Sequence, residues 1–526
     1  MLWLLAILLP LLGSCQPPRP EAGIIVASKS VINSLDPVQI QTFGMITNLL
    51  GALGDPLYAI NANGSIEPRL ATALPALSRD GLKARIPLRQ DVTFHDGTAF
   101  DAAAMVFSME RFMELGKLSY ILTDRVEAVR ASGPYEIEIS LKRPFSPLPR
   151  LLSAALLTPV SPTAYRDYND QPLNEDFVGT GPYTLSFYNK QQQRLAPYAG
   201  YWGPRPANQG LDLVTLSNST ALFGALRSGE VDVLLSTSLE GDHKLALHQD
   251  AAAGLLKEGV GPAFEISYLT LLSDQPPLND PTLRRAVALS LDRATVSKRV
   301  GLGLQPALRE LVPPSLPGSV PTAWPAYDPA AARALFRKAG YCDGTRFSLP
   351  LTFRSNIPND RLFALTWQAQ LRRDLADCVK LEVSGVESTT AYKQLSDGVF
   401  PMILLDWMGD YPDSDNYLTP LLGCDVVEAS RCLEGGSALG GSFWTAPWVE
   451  AQLRRATQVS DPPRSDLVRA IQRRAAEATP FIPVWLVAPQ AWAQPRISTP
   501  RFDGSGRLLL SELNLEPQQP NRSPSP

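Results

Sequence analysis

The sequence predicts a mixed α/β protein spread over two or three domains. Three observations point there. A chain of 526 residues is longer than one hydrophobic core usually organises. Segments of alternating polarity, such as Tyr135-Glu136-Ile137-Glu138-Ile139-Ser140-Leu141, are interspersed with segments of helical period, and no internal repeat is visible. Hydrophobic residues make up 44% and charged residues 19%, a balance that fills cores and excludes global disorder.

The elements follow in order. Asp101 is placed to cap a helix carrying Met105, Val106, Met109, Phe112 and Met113 on one face, with Gly116 as its stop. Asp280-Pro281 opens another helix, with Leu283, Ala286, Val287 and Leu291 inward. Asp328-Pro329 opens a third, with Leu335 and Phe336 inward and Gly340 past its end. The apolar runs 231–235 and 402–405 read as buried strands. Residues 516–526 are proline-rich and polar, and a disordered tail is expected there.

The amino terminus reads as an export signal. Residues 2–12 are almost wholly apolar, broken by Pro10; this is too short to span a bilayer and suits a signal-peptide core. Leu12-Gly13-Ser14-Cys15 resembles a bacterial lipobox, in which the cysteine is lipidated and becomes the mature amino terminus. The expectation is a signal peptide over 1–15 with Cys15 as the lipidation site, followed by a tether over 16–21. Ordinary cleavage with Cys15 incidental is the competing reading. A periplasmic or cell-surface location, anchored through Cys15, follows.

Four cysteines remain beyond Cys15, and they allow three pairings. Sequence neighbours, Cys342–Cys378 and Cys424–Cys432, are the expected disulfides. A zinc site is the rival, and neither pair has the close spacing of a zinc knuckle. Composition excludes further classes. The net charge is −4, without the basic excess of a duplex binder, so no nucleic-acid partner is expected. Three histidines leave little for an imidazole-rich metal site, and His95, His243 and His248 read as surface or turn residues. There is no G-x-S-x-G, no G-x-x-x-x-G-K, no H-E-x-x-H and no full G-x-G-x-x-G. No catalytic residue, cofactor or metal is assigned.

The positive signals form a series. Asn33-Ser34-Leu35-Asp36-Pro37 is followed by Gly54-Asp55-Pro56-Leu57-Tyr58, Gly64-Ser65-Ile66-Glu67-Pro68, and Val92-Thr93-Phe94-His95-Asp96-Gly97-Thr98. Farther on come Gly179-Thr180-Gly181-Pro182-Tyr183, Tyr201-Trp202-Gly203, Gly229-Glu230-Val231-Asp232, Leu291-Asp292-Arg293 and Tyr327-Asp328-Pro329. Last is Asp406-Trp407-Met408-Gly409-Asp410-Tyr411-Pro412-Asp413. In this order and spacing they resemble family 5 of the bacterial extracellular solute-binding proteins, the oligopeptide- and dipeptide-binding components of ABC importers. The resemblance covers nearly the whole mature chain.

The resemblance implies a two-lobed periplasmic-binding-protein type II fold with an extra domain inserted in the first lobe. Domain I would comprise 22–60, 178–265 and 481–515, domain II 61–177, and domain III 266–480. The chain would cross between lobes near Tyr268 and again near Phe481, and a monomer would close on its ligand as a hinge. The family match places Asp410 on the α-ammonium of a peptide, with Trp407 and Tyr411 as amphipathic walls. Without it, Asp410 and Asp413 read as turn formers around Pro412. Asn33, Ser34 and Leu35 are expected to open the first lobe strand and reach the cleft. Arg293 is expected to pair with Asp292 or a carbonyl of its own helix. Phe443-Trp444 lies in a glycine-rich loop, 435–442, beside the second cysteine pair, and that loop either lids the cleft or is exposed. The implied function is delivery of a peptide or peptide-like ligand to an ABC permease and its ATPase. Alternatives are a non-peptide solute (metal chelate, sugar or opine) in the same fold, or a secreted hydrolase using Asp406 and Asp410.

Overall fold

A computed structural model describes residues 23–41, 44–168, 172–236 and 239–516. The signal 1–15 with Cys15, the tether 16–21 and residues 517–526 of the tail lie outside the described residues.

The first sheet has seven strands in the order Lys257–Val260, Gln490–Ala493, Val233–Leu235, Ile24–Ser28, Leu211–Thr215, Gln192–Pro197, Tyr183–Tyr188. Ile24–Ser28 runs parallel to both of its neighbours. The connection between those neighbours is the helix Ser219–Ser228, which the Asn218 side chain caps and which Gly229 ends at φ 75°. Strand, helix and strand thus form a parallel crossover around the chain's first strand.

Segment 61–177 carries its own antiparallel sheet, in the order Ala76–Leu77, Lys83–Pro87, Glu136–Leu141, Val126–Gly133. The helix Ala102–Leu115 packs on it, and the Asp101 carboxylate accepts from Ala104 N–H at 2.9 Å. One continuous core joins this segment to the first sheet, from Val26 and Leu213 to Phe112 and Ile139. A buried ion pair crosses the same junction: Arg111 donates through both terminal nitrogens to Asp36, each at 2.7 Å. Gly181 packs against the end of the helix Met45–Leu53, where a Cβ would lie 2.4 Å from Gly54 N. The Gly179-Thr180-Gly181 run is therefore a close-packing device.

The second sheet has five strands in the order Val379–Val386, Phe347–Arg354, Met402–Met408, Glu265–Leu271, Phe481–Val487. Its two faces are covered by separate cores, Leu269, Leu404 and Ile482 on one side and Ile266, Leu405 and Leu486 on the other. Burial on both faces explains why these strands read as near-continuous apolar runs. Asp280 and Asp328 cap the helices Pro281–Leu289 and Pro329–Lys338. The first of these is shorter than its apolar period suggests. It stops at Leu289, and Asp292 caps a separate helix, Arg293–Val300. Arg293 is buried and donates to Pro483 O at 2.6 Å and Pro325 O at 3.3 Å, rather than to Asp292 or its own helix.

The changes between sheets fall at 261–264 and 488–489, not near Tyr268 and Phe481. The reason is register: Glu265–Leu271 pairs along its length with Phe481–Val487, so both belong wholly to the second sheet. The two crossings touch, Gly261 N–H donating to Pro489 O at 2.8 Å.

Disulfides join Cys342 to Cys378 and Cys424 to Cys432. Phe443 is buried against the second, with Arg431 3.9 Å above its ring; it neither lids the cleft nor is exposed. Among the described residues, no helix is long and apolar enough to cross a membrane.

Candidate functional site

A cavity of about 1030 Å³ lies where the two sheets face each other. Both crossings line it, through Phe264, Ala488 and Pro489, as do the adjoining strand ends Glu265 and Gln490. Its volume sits at the upper end of small-ligand pockets, so it suits a solute of several residues rather than a folded partner.

Strand pleat selects the second sheet's contribution. Asp406 and Met408 line the cavity, and so do Glu265 and Ser267 on the neighbouring strand. Trp407 and Ile266 alternate onto the other face. The Trp407 ring packs against the Ile266 core, and its Nε1–H donates to Asn416 O at 2.7 Å. Trp407 does not line the cavity. Tyr411 borders it, but its ring is 1% exposed, packs in the first core, and donates its O–H to Asp415 Oδ2 at 2.9 Å.

The first strand ends at Ser28, before Asn33, Ser34 and Leu35. These three lie outside the cavity. Leu35 is core, and the Ser34 hydroxyl accepts from Asp36 N–H at 3.1 Å. Lys29, at the strand's end, lines the cavity in their place.

The acids around the 406–415 turn differ in their partners. Asp406 is paired with Arg354, which also holds Asp360 through Nε at 2.7 Å. Asp413 is paired with Arg464 and lies 3.6 Å from Arg150. It also accepts from Asp415 N–H at 2.8 Å, an Asx turn that begins after Pro412. Asp415 is paired with Arg125 at 3.3 Å. Asp410 lines the cavity, and among the described residues no lysine or arginine forms an ion pair with it. Its carboxylate receives the Tyr120 hydroxyl, at 3.3 and 3.4 Å. Burial raises its pKa above the usual carboxylate value, against the pull of Asn416, Tyr120 and Arg125.

Sequence reasoning missed the other charges. Lys244, from the helix Gly241–Ala252, and Glu265, from the second sheet, both line the cavity. Burial lowers the Lys244 pKa and raises that of Glu265, and each partly offsets the other. Arg507 also lines the cavity; Asp503 holds its Nε at 2.9 Å, and among the described residues its Nη1 has no hydrogen-bond partner. A lone charge at the end of an apolar strand, as in Phe353-Arg354 or Glu265-Ile266, was the available signal.

Glu240, Asp242 and His243 bring potential metal-ligand atoms within 4.8 Å of one another. The two acids are exposed, and His243 Nδ1 is engaged with the Ser219 hydroxyl at 2.7 Å. No metal is assigned to them.

The chain matches the model of the bacterial extracellular solute-binding proteins, family 5, over residues 65–428. It belongs to that family. It is 29% identical over 473 residues to di/tripeptide-binding protein 2 of Pseudomonas aeruginosa, covering 82% of this chain and 84% of that one. Its fold is similar to NikA from Brucella suis in complex with Fe(III)-EDTA (TM-score 0.81, 22% identity, 94% of this chain and 100% of that one). It is also similar to a dipeptide-binding protein from Pseudoalteromonas sp. SM9913 in complex with Met-Leu (TM-score 0.73, 21% identity, 94% and 100% coverage). The fold is the two-lobed type II periplasmic-binding-protein fold. These relatives and neighbours are binding proteins.

Proposed function

We propose that this chain is the extracytoplasmic receptor of an ABC importer. It captures a peptide or peptide-like solute with a free ammonium group, encloses it by hinge closure, and hands it unchanged to a membrane permease and its ATPase. The observation that supports this reading is Asp410, a half-buried carboxylate that faces a large cavity and, among the described residues, forms no ion pair. Such a group is costly until an ammonium pairs with it. The other acids of the 406–415 turn are paired with arginines, which favours Asp410 among them as the acceptor. The two contacting crossings at 261–264 and 488–489 suit a hinge, because few residues must change conformation there. Domain I would thus hold the first sheet, domain II the 61–177 segment and domain III the second sheet. Anchorage through lipidated Cys15 and a monomeric state belong to the same proposal.

A second reading, a non-peptide anion or chelate, is favoured by Lys29, Lys244 and Arg507 in the same cavity. Their charges suit carboxylates on the solute. A carboxylate-dependent hydrolase is disfavoured, because Asp406 is committed to Arg354.

The test is calorimetric titration with di- and tripeptides, their N-acetylated counterparts and Fe(III)-EDTA, beside native mass spectrometry of co-purified solute. Binding of free-amine peptides that acetylation abolishes supports the proposal. Binding of the chelate, with no peptide bound, establishes the second reading instead.

A further inference from the structure

Two further charges of the cavity come from opposite lobes and lack partners. Lys244 stands on the helix Gly241–Ala252, which Leu247 and Ala251 anchor in the first lobe against Ala27 and Trp492. It lies one turn past Gly241, where a Cβ would meet Leu302 of the second lobe at 3.4 Å, so this face of the helix looks across the cleft. Glu265 opens the strand Glu265–Leu271 and is held on both sides, opposite Met408 and Val487. Both side chains line the cavity. Among the described residues, neither forms an ion pair or a side-chain hydrogen bond. Other charges of the cavity differ: Arg354 and Arg507 are held by aspartates, and Lys29, Glu240 and Asp242 are exposed.

Each of the two is the leading opposite charge felt by the other, yet they do not meet as a pair. Glu265 also adjoins the Asp410 turn. The Tyr417 hydroxyl links the residues that precede these two acids, donating to Phe264 O at 2.6 Å and accepting from Gly409 N–H at 3.3 Å. A peptide anchored at Asp410 therefore has further groups within reach of Glu265. A facing ammonium and carboxylate carry no net charge. A charged group between them gains from one, loses to the other, and leaves its own charge uncompensated. A neutral group with an acceptor at one end and a donor at the other satisfies both, and an amide is such a group.

We propose that Lys244 and Glu265 form a second subsite of the cavity, one charge from each lobe, which takes an amide of the solute and discriminates against a charged group in that place. The amide C=O faces Lys244 and its N–H faces Glu265. The inference rests on the reading of the solute as a peptide or peptide-like molecule. Helix and paired strand hold the two charges on rigid elements, as a specificity-determining pair requires. A side-chain carboxamide and a peptide bond share this chemistry, and the experiment separates them.

The experiment is calorimetry on the full protein, its Glu265→Gln variant and its Lys244→Met variant. The probes are tripeptides in which Gln, Glu or Lys replaces each residue of Ala-Ala-Ala in turn, and Ala-Ala-Ala with an ester in place of either peptide bond. Affinity ratios are read within each protein, so a partly unfolded variant does not distort them. Where a side chain fills the subsite, Glu265→Gln is expected to raise binding of the Glu peptide relative to the Gln peptide about fivefold or more at one position, and Lys244→Met to do the same for the Lys peptide. Where a peptide bond fills it, the side-chain ratios stay fixed. The ester, which lacks the N–H, is then expected to weaken binding about fivefold in wild type and not in Glu265→Gln. Side-chain and ester ratios that match wild type in both variants overturn the subsite and leave the peptide reading standing. Failure of every tripeptide to bind wild type overturns the peptide reading, and this inference with it.

Discussion

Replacing Asp36 by alanine cuts the ion pair that ties the first sheet to segment 61–177. Asp36 is fully buried and its partner Arg111 is 5% exposed. The carboxylate accepts from both Arg111 terminal nitrogens, from Val38 N–H at 3.3 Å and from Leu173 N–H at 3.0 Å. After the substitution Arg111 keeps the Tyr168 carbonyl at 3.3 Å and the face of Tyr165, but no counter-charge. Breaking one side of a buried pair costs about 3–5 kcal/mol, and the lost backbone acceptors place Asp36→Ala near the upper end. The paired replacement Asp36→Leu with Arg111→Met is expected to cost much less than either single change, because no charge is then left buried. Urea unfolding followed by tryptophan fluorescence measures this, since Trp202 packs against the same core. A loss below about 1 kcal/mol for Asp36→Ala, or a double variant as unstable as the sum of the singles, would refute the reasoning.

Other substitutions test the site and its packing. Burial holds the Asp410 carboxyl above its ordinary value of 3.8, so its ionised form subtracts from folded stability at neutral pH. Asp410→Asn is therefore expected to unfold at higher urea than the wild type at pH 7, with the gap closing as pH falls toward 3.8; an Asn variant less stable at pH 7 contradicts the sign. Gly181→Ala sets a Cβ against backbone at 2.4 Å and is expected to cost about 1–3 kcal/mol in the same unfolding assay, with an unchanged midpoint as the adverse result.

Much of the architecture was legible because local chemistry and tertiary packing agree. Asp101, Asp280 and Asp328 announce helices through caps that the structure contains. The alternation across 135–141 marks a half-buried strand, observed over Glu136–Leu141. What escaped the sequence depends on strand length. An apolar run at 402–405 does not reveal that pairing continues to Met408. Once it does, alternation places Asp406 and Met408 toward the cavity and Trp407 against the core. The same limit displaced both crossings, since the apolar strands Glu265–Leu271 and Phe481–Val487 show no internal mark of where the lobe ends. Asn33, Ser34 and Leu35 were misplaced because the strand stops at Ser28 and Asp36 begins a short 3-10 turn. Tyr120 lay beyond reach for another reason. Its contact with Asp410 spans 290 residues of chain, and neither local pattern announces the other.

Ammonium capture by Asp410 is tested most directly by a calorimetric square: wild type and Asp410→Asn, each titrated with the tightest-binding di- or tripeptide and with its N-acetylated form. Losing either charge alone is expected to weaken binding roughly 100-fold or more, since each leaves a buried partner unpaired. Losing both is expected to cost little beyond losing one. Equal losses on acetylation in the two proteins would place the ammonium elsewhere and contradict the account.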